Sequence, residues 1–305
     1  MTFRTRFAPS PTGLLHIGAA RPSPQPETPP DRMAPFFKLA EIAADACADH
    51  ATIIRQMRAG ACDGILVRGV YTPADCATLC ERLEAEQHGL PRTDFPPVMR
   101  AFFLGMNLNL THPDLRAYFA AVPGFAQGLT RLCAGMDDLQ PRLTGLFSAL
   151  DGGRRYQPAP GPQPGLSHMF TTIRAHRPGG FIPPHFDSEQ ALRASYRFIN
   201  QAISGDIFSF VLGLSIAETG GALEIFNIKH DGQAWQMSDH GRNAADIPLQ
   251  GVDHISLRLA PGDLVLFNSG RFLHRVVPVG GTRTRWTVCS FMAEARDGQS
   301  VHCWG

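Results

Sequence analysis

GDLVLFNSGRFLHRVV (262–277) is the stretch whose reading decides the fold. Pro261 and Gly262 form a turn signal, and the LVLF that follows is a short apolar run of buried-strand type. Asn268, Ser269, Gly270 and Arg271 make a second turn. From Phe272 to Val277 the chain resumes as a strand with the alternation of one that faces a core, and this strand carries His274.

Outward from there the same signature recurs. HMFTTIRAH (168–176), SGDIFSFVLGLS (204–215), GGALEIFN (220–227), 253–259 and 286–293 all have strand composition, with Gly or Pro punctuating the joins. Seven or eight short strands with such turns argue for a double-stranded β-helix, a jelly-roll or cupin-like core of two packed sheets. The N-terminal third reads differently. Apolar residues at helical spacing (Phe37, Leu39, Ile42, Ala43, Ile53, Met57) predict one or two helices over 36–58. CDGILVRGV (62–70) reads as a strand, and Thr72 and Pro73 as N-cap and first-turn residue of the next helix. Three more short helices are expected over 114–119, 124–134 and 140–150, then a Gly/Pro-rich connection over 153–166. The expected fold is mainly β, with the helices packed outside the jelly roll.

Composition narrows the function. The 305 residues are 44% hydrophobic, enough for one substantial core or two small ones. A net charge of +1 gives no general pull toward nucleic acid or an anionic membrane surface. No apolar run is long enough to span a bilayer, and the N-terminus lacks the apolar stretch of a secretory signal, so a cytoplasmic location is expected. The seven cysteines are scattered. Cys76 and Cys80 have no second pair to complete a zinc site, so reduced packing thiols are expected.

FIPPHFD (181–187) supplies the candidate chemistry. His185 and Asp187 are two apart, so on extended backbone both point to one face. A third ligand must come from another strand, and His274 is placed to provide it. Two imidazoles and one carboxylate leave coordination positions open, which suits a non-haem Fe(II) that must also bind a co-substrate and O2. Pro183 and Pro184 stiffen the approach to His185. The competing reading is a chance HxD among twelve histidines. Eleven residues after His274, Arg285 is followed on the same strand face by Thr287. A 2-oxoglutarate co-substrate leaves its far carboxylate in a buried pocket, where it needs a charge partner and hydrogen bonds. Arg285 can supply a bidentate fork and Thr287 a further donor, with Arg283 as the competitor on the same face.

These residues sit in long runs that resemble a known family: the iron/2-oxoglutarate halogenases of free-standing hapalindole- and welwitindolinone-type alkaloids, with their hydroxylase relatives. The resemblance runs from about residue 50 to the C-terminus. It is carried by DGILVRGVYTP (63–73), HPDLRAYF (112–119), TIRAHRPGG (172–180), GGALEIFN (220–227), GDLVLFNSGRFLHRVV (262–277) and RWTVCSFMAEARDGQSVHCWG (285–305). It implies a jelly-roll core with Fe(II), 2-oxoglutarate and O2. His185 and His274 fall on the iron histidines, Arg285 on the 2-oxoglutarate arginine, and Arg174 on an arginine near the co-substrate. Ile182 falls where the halogenases contact their alkaloid, and Phe103 and Met106 in a stretch that lines the pocket; ordinary core packing is the plainer account of all three. The halogenases carry glycine where this chain has Asp187. The carboxylate therefore implies hydroxylation of an unactivated C–H, with release of succinate and CO2, rather than halogenation.

Residues 3–21 (FRTRFAPSPTGLLHIGAAR) resemble the first strand and turn of class I glutamyl-tRNA synthetases. The proline-dense RPSPQPETPPDRMAP that follows excludes the helix an ATP site would need, and no KMSKS-like motif occurs later. Residues 1–32 are expected to be a fusion remnant, or the product of a start placed upstream of Met33, with 33–305 as the oxygenase domain. The expected partner is a small molecule, as opposed to nucleic acid or membrane, and the expected assembly a monomer or homodimer. Two other functions remain open: desaturation, ring closure or a nucleotide substrate in the same family, and a non-redox jelly-roll metal protein.

Overall fold

The computed structural model describes residues 36–85, 89–111, 114–232 and 244–305. In chain order the strands are β1 (Leu39–Ala43), β2 (Gly64–Arg68), β3 (Arg92–Asp94), β4 (Ala101–Leu104), β5 (Arg155–Pro158), β6 (Thr172–His176), β7 (Ile182–His185), β8 (Ile203–Gly213), β9 (Thr219–Gly220), β10 (Leu223–Lys229), β11 (His254–Leu257), β12 (Leu264–Phe267), β13 (Phe272–Val276), β14 (Val279–Gly280), β15 (Arg285–Ala295) and β16 (Ser300–Trp304). The helices are α1 (Ile53–Arg58), α2 (Pro73–Glu84), α3 (Arg116–Leu132), α4 (Leu139–Leu150) and α5 (Arg197–Ala202).

A larger sheet runs β1-β2-β12-β8-β15-β6-β4-β3, with β16 beside β15 and β5 beyond it. A smaller one runs β11-β10-β13-β7, and β14 pairs with β9. Period-two alternation splits the larger sheet into two faces. Ile65, Val67, Phe210, Leu212, Leu264 and Leu266 point into a core shared with Leu79 of α2, Tyr118 of α3 and Phe147 of α4. Leu66, Val265 and Phe267 point the other way and meet Leu223, Ile225 and Phe272 of the smaller sheet. The expected jelly roll with outer helices is therefore present, and any site between the sheets must be built from the second set of positions.

Local chemistry explains the joints. Thr72 caps α2, accepting the Asp75 N–H at 3.1 Å while the Asp75 carboxylate accepts the Thr72 N–H in return. Gly262 sits at φ +90°, where a Cβ would overlap the Tyr71 carbonyl. That contact ties the turn before β12 to the end of β2.

Four expectations are corrected. Leu39–Ala43 is a strand, pairing in parallel with β2, where helical spacing predicts a helix. The helices expected over 114–119 and 124–134 are one, α3 (Arg116–Leu132), which runs through Pro123. Burial of Tyr118, Phe119, Phe125, Leu129 and Leu132 along it outweighs the ~3 kcal/mol that an interior proline costs. The 153–166 connection contains β5, and the C-terminus adds β16, which pairs with both β15 and β5. The cysteines are free, as expected. No helix among the described residues is long and apolar enough to cross a membrane. The expectations for residues 1–32, and the HP of HPDLRAYF, lie outside the described residues.

Candidate metal centre

β7 and β13 are neighbours, and their register sets His185 opposite His274. The ring centroids are 4.2 Å apart. Further along, Ile182 opposes Val276, so three steps on β7 face two on β13. The extra residue falls at Pro183 and Pro184, a bulge at residues that have no N–H to give the ladder. Strict alternation would turn Ile182 and His185 to opposite faces; the bulge sets both against residues of β13 that share one face.

After His185 the backbone stays extended through Phe186, at φ −111° and ψ 139°. Phe186 is turned outward against Phe226 and Leu273. Asp187 then begins a 3-10 turn (Asp187–Leu192), and its N–H donates to the Ser269 carbonyl at 3.0 Å. The turn that precedes β13 thereby helps to fix the carboxylate. Asp187 Oδ1 lies 3.5 Å from His185 Nε2, and Oδ2 lies 3.8 Å from His274 Nε2. One ligand atom from each of the three lies within 4.8 Å of the other two, and no other such His/Cys/Asp/Glu group occurs among the described residues. Asp187 and His274 are buried, and His185 is partly open.

Both imidazoles are held the same way. His185 Nδ1 lies 2.8 Å from the Pro183 carbonyl, and His274 Nδ1 lies 3.0 Å from that of Phe272. A carbonyl can only accept, so Nδ1 carries the proton and Nε2 keeps its lone pair for a metal. Burial, reinforced by the neighbouring His185, pulls His274 down to about 4, so the ring is neutral at physiological pH. Burial alone would raise Asp187, but His274, His185 and Ser269 outweigh it and hold the carboxyl below its ordinary range. A buried carboxylate, two imidazoles that turn Nε2 toward it and one partly open edge fit a divalent metal with sites left for other ligands.

The carboxylate is also gripped from behind. Gln190 Nε2 donates to Asp187 Oδ1 at 2.8 Å, and the buried Tyr196 hydroxyl donates to Gln190 Oε1 at 2.7 Å. The sequence reading missed both residues. Gln190 lies three positions after Asp187, a spacing that brings side chains together on a 3-10 turn but carries no meaning until the turn is known.

The predicted co-substrate residues converge on the inner face of the larger sheet. Trp286, Val288, Ile173 and Ala175 belong to the helix-side core, so Arg285, Thr287, Arg174 and His176 take the opposite face. Across β15 and β6, Arg285 opposes His176 and Thr287 opposes Arg174; on β4, Phe103 opposes Arg174. The Arg174 guanidinium sits 4.9 Å from the centre of the Phe103 ring. Arg285 is only 5% exposed, and among the described residues neither it nor Arg174 pairs with a carboxylate. Burial, and then the like charge of Arg174, pulls Arg285 down to about 10. A buried and a half-buried cation, neither with an anion among the described residues, fit a ligand that brings carboxylates. Arg283 is eliminated as the competitor: its side chain is 81% exposed and lies 3.9 Å from Glu218. Ile182 and Phe103 are buried. Met106 packs instead against the helix-side core, with its N–H toward Met169 Sδ, and is not brought to the triad.

A double-stranded β-helix holding two histidines and a carboxylate between its sheets defines a facial-triad metalloprotein. The family model of the carrier-protein-independent halogenase WelO5 matches residues 36–305, and the chain belongs to that family. Comparison with curated proteins gave no match. Among solved structures, an N-substituted L-amino acid dioxygenase from Burkholderia ambifaria AMMD is similar, with TM-score 0.53 and 16% identity over 84% of this chain and 91% of that one. Its complex with alpha-ketoglutarate scores 0.50 at the same identity and coverage. SnoN, a non-heme alpha-ketoglutarate-dependent epimerase from nogalamycin biosynthesis, scores 0.44 at 14% identity, covering 81% of this chain and 82% of that one. The two dioxygenase structures share the fold.

Proposed function

We propose that the protein is an Fe(II)- and 2-oxoglutarate-dependent oxygenase that hydroxylates an unactivated C–H of a free-standing small molecule. The observation that carries this reading is Asp187: a buried carboxylate stands beside His185 and His274, gripped by Gln190, where the halogenases resembling this sequence carry glycine. A protein carboxylate in that position occupies the coordination site a halide would need.

Iron(II), when bound, supplies the coupling of O2 activation to oxidative decarboxylation of 2-oxoglutarate, giving succinate and CO2. His185 and His274 hold the metal through Nε2, and Asp187 offsets part of its charge. Arg285 takes the far carboxylate of 2-oxoglutarate in a bidentate contact, Thr287 adds a hydrogen bond, and Arg174 lies along the path between them and the metal. What supports that role for Arg174 is its charge, which acts on both His274 and Arg285. Ile182 and Phe103 present apolar surface to the substrate, which favours a largely apolar natural product over a carrier-bound one. Desaturation or ring closure would use the same residues with the substrate carbon held away from the position of oxygen transfer.

The test is to incubate the protein with Fe(II), 2-oxoglutarate and O2 in a metabolite extract and to follow succinate and metabolite masses. Succinate formed together with one metabolite gaining a single oxygen supports the reading. Loss of two hydrogens instead selects desaturation, and no succinate with any extract sinks the oxygenase.

A further inference from the structure

His176 is fully buried on the inner face of β6, and neither of its ring nitrogens has a hydrogen-bond partner among the described residues. A neutral imidazole carries one N–H and one lone pair, and both are costly to leave unmet in a protein interior. The placement is specific. His176 opposes Arg285 across β6 and β15, and lies two residues from Arg174 on the same strand face. The Arg174 Nε–H is likewise buried and unpartnered. Other buried histidines differ: His168 Nδ1 meets the Ala159 carbonyl at 3.1 Å, and His274 meets that of Phe272. Two cations without a counter-ion among the described residues and one unsatisfied neutral ring therefore share one sheet face. Burial, and the charges of Arg285 and Arg174, push the His176 pKa well down, so the ring adds a donor there without adding a third positive charge.

We propose that His176 is a binding residue for the far carboxylate of 2-oxoglutarate, donating its ring N–H to the group that Arg285 holds. This rests on the 2-oxoglutarate reading above and extends it to a residue outside the metal triad and the arginine pair. It makes the pocket selective. A 2-oxo acid that lacks the second carboxylate gains nothing from His176.

The test is anaerobic titration of the Fe(II)-loaded protein with 2-oxoglutarate and with 2-oxobutyrate, following the metal–keto acid charge-transfer absorbance. His176→Leu is expected to raise the Kd for 2-oxoglutarate at least tenfold, while the Kd values for 2-oxobutyrate and for Fe(II) stay within twofold. His176→Gln keeps a donor and is expected to recover most of the loss. Unchanged 2-oxoglutarate affinity in His176→Leu overturns the proposal, and so does an equal loss for both acids, which marks a structural role. If His176→Leu does not fold, the ring N–H resonance of the unmodified protein, assigned by its loss in His176→Gln, decides. It must shift with 2-oxoglutarate and stay in place with 2-oxobutyrate; a shift with neither, or equally with both, overturns the proposal. Failure of the unmodified protein to bind 2-oxoglutarate at all is a different result: it removes the parent reading and this one together.

Discussion

His185 and His274 face each other across β7 and β13, and each ring gives its Nδ1 proton to the carbonyl two residues upstream on its own strand. Tautomer and ring direction are thus set by backbone, not by a second carboxylate. The freedom left in the site lies in Asp187, whose side chain is oriented by other side chains.

Gln190 and Tyr196 should therefore control metal affinity. Gln190→Leu removes the donor to Asp187 Oδ1, and Tyr196→Phe removes the hydroxyl that orients Gln190. Loss of such an outer partner typically costs about 10–100-fold in metal affinity. Chelator competition with Fe(II) or Co(II) should show a loss in that range for Gln190→Leu and a smaller one for Tyr196→Phe. Two variants that bind metal like the unmodified protein would show that Asp187 holds its orientation without them.

Arg285 and Arg283 are two residues apart and should behave oppositely. On the proposed reading, Arg285→Gln removes a charge-assisted contact to a buried carboxylate, about 1.5–3 kcal/mol, or roughly 10- to 150-fold in 2-oxoglutarate affinity. Arg283→Gln alters an exposed pair and should change affinity less than twofold. Equal effects at both positions would contradict the assignment of the inner face.

The metal-free protein should lose stability below neutral pH, and His168 should account for part of the loss. His168 is buried beside Tyr118 and Phe119, and burial lowers its pKa to about 4. The unfolded chain protonates it near 6.5, so between pH 6.5 and 4 the unfolded state binds the extra proton. Stability is complete above 6.5 and falls as pH drops through that window, by up to about 3 kcal/mol. Urea unfolding at a series of pH values should show a shallower acid slope for His168→Gln. An identical slope would mean that the ring titrates normally when folded.

Gly262 should not tolerate a side chain. At φ +90°, with the Tyr71 carbonyl where a Cβ would go, Gly262→Ala must displace the join between β2 and the turn into β12. A loss of at least about 2 kcal/mol is expected in denaturant unfolding. A loss under 0.5 kcal/mol would show that the turn can rearrange at little cost.

Much of this molecule was legible in its residues, and the gaps have physical causes. β6, β8, β12, β13 and β15 announce themselves because local composition and turn chemistry agree. β1 and β5 do not, since each is a strand only through a partner distant in sequence, β5 lying against β16 and β1 against β2; β16 pairs with its neighbour β15 as well as with β5. The stretch that reads as two short helices, over 114–119 and 124–134, is one helix through Pro123, kept whole by buried aromatic residues. In the site, period two gave His185, Asp187, Arg285 and Thr287 their shared faces. The same rule applied to TIRAH would have paired His176 with Arg174. The bulge at Pro183 and Pro184 needed the register of β13, and the grip of Gln190 needed the 3-10 turn.

On the proposed reading, Asp187 makes this member of the halogenase family an oxygen-inserting enzyme. The deciding measurement is the product mass from the unmodified protein in saturating chloride with Fe(II), 2-oxoglutarate, O2 and a substrate it turns over. A gain of one oxygen with no chlorine isotope pattern is expected, with Asp187→Gly losing hydroxylation and weakening metal binding. A chlorinated product from the unmodified protein would contradict the account.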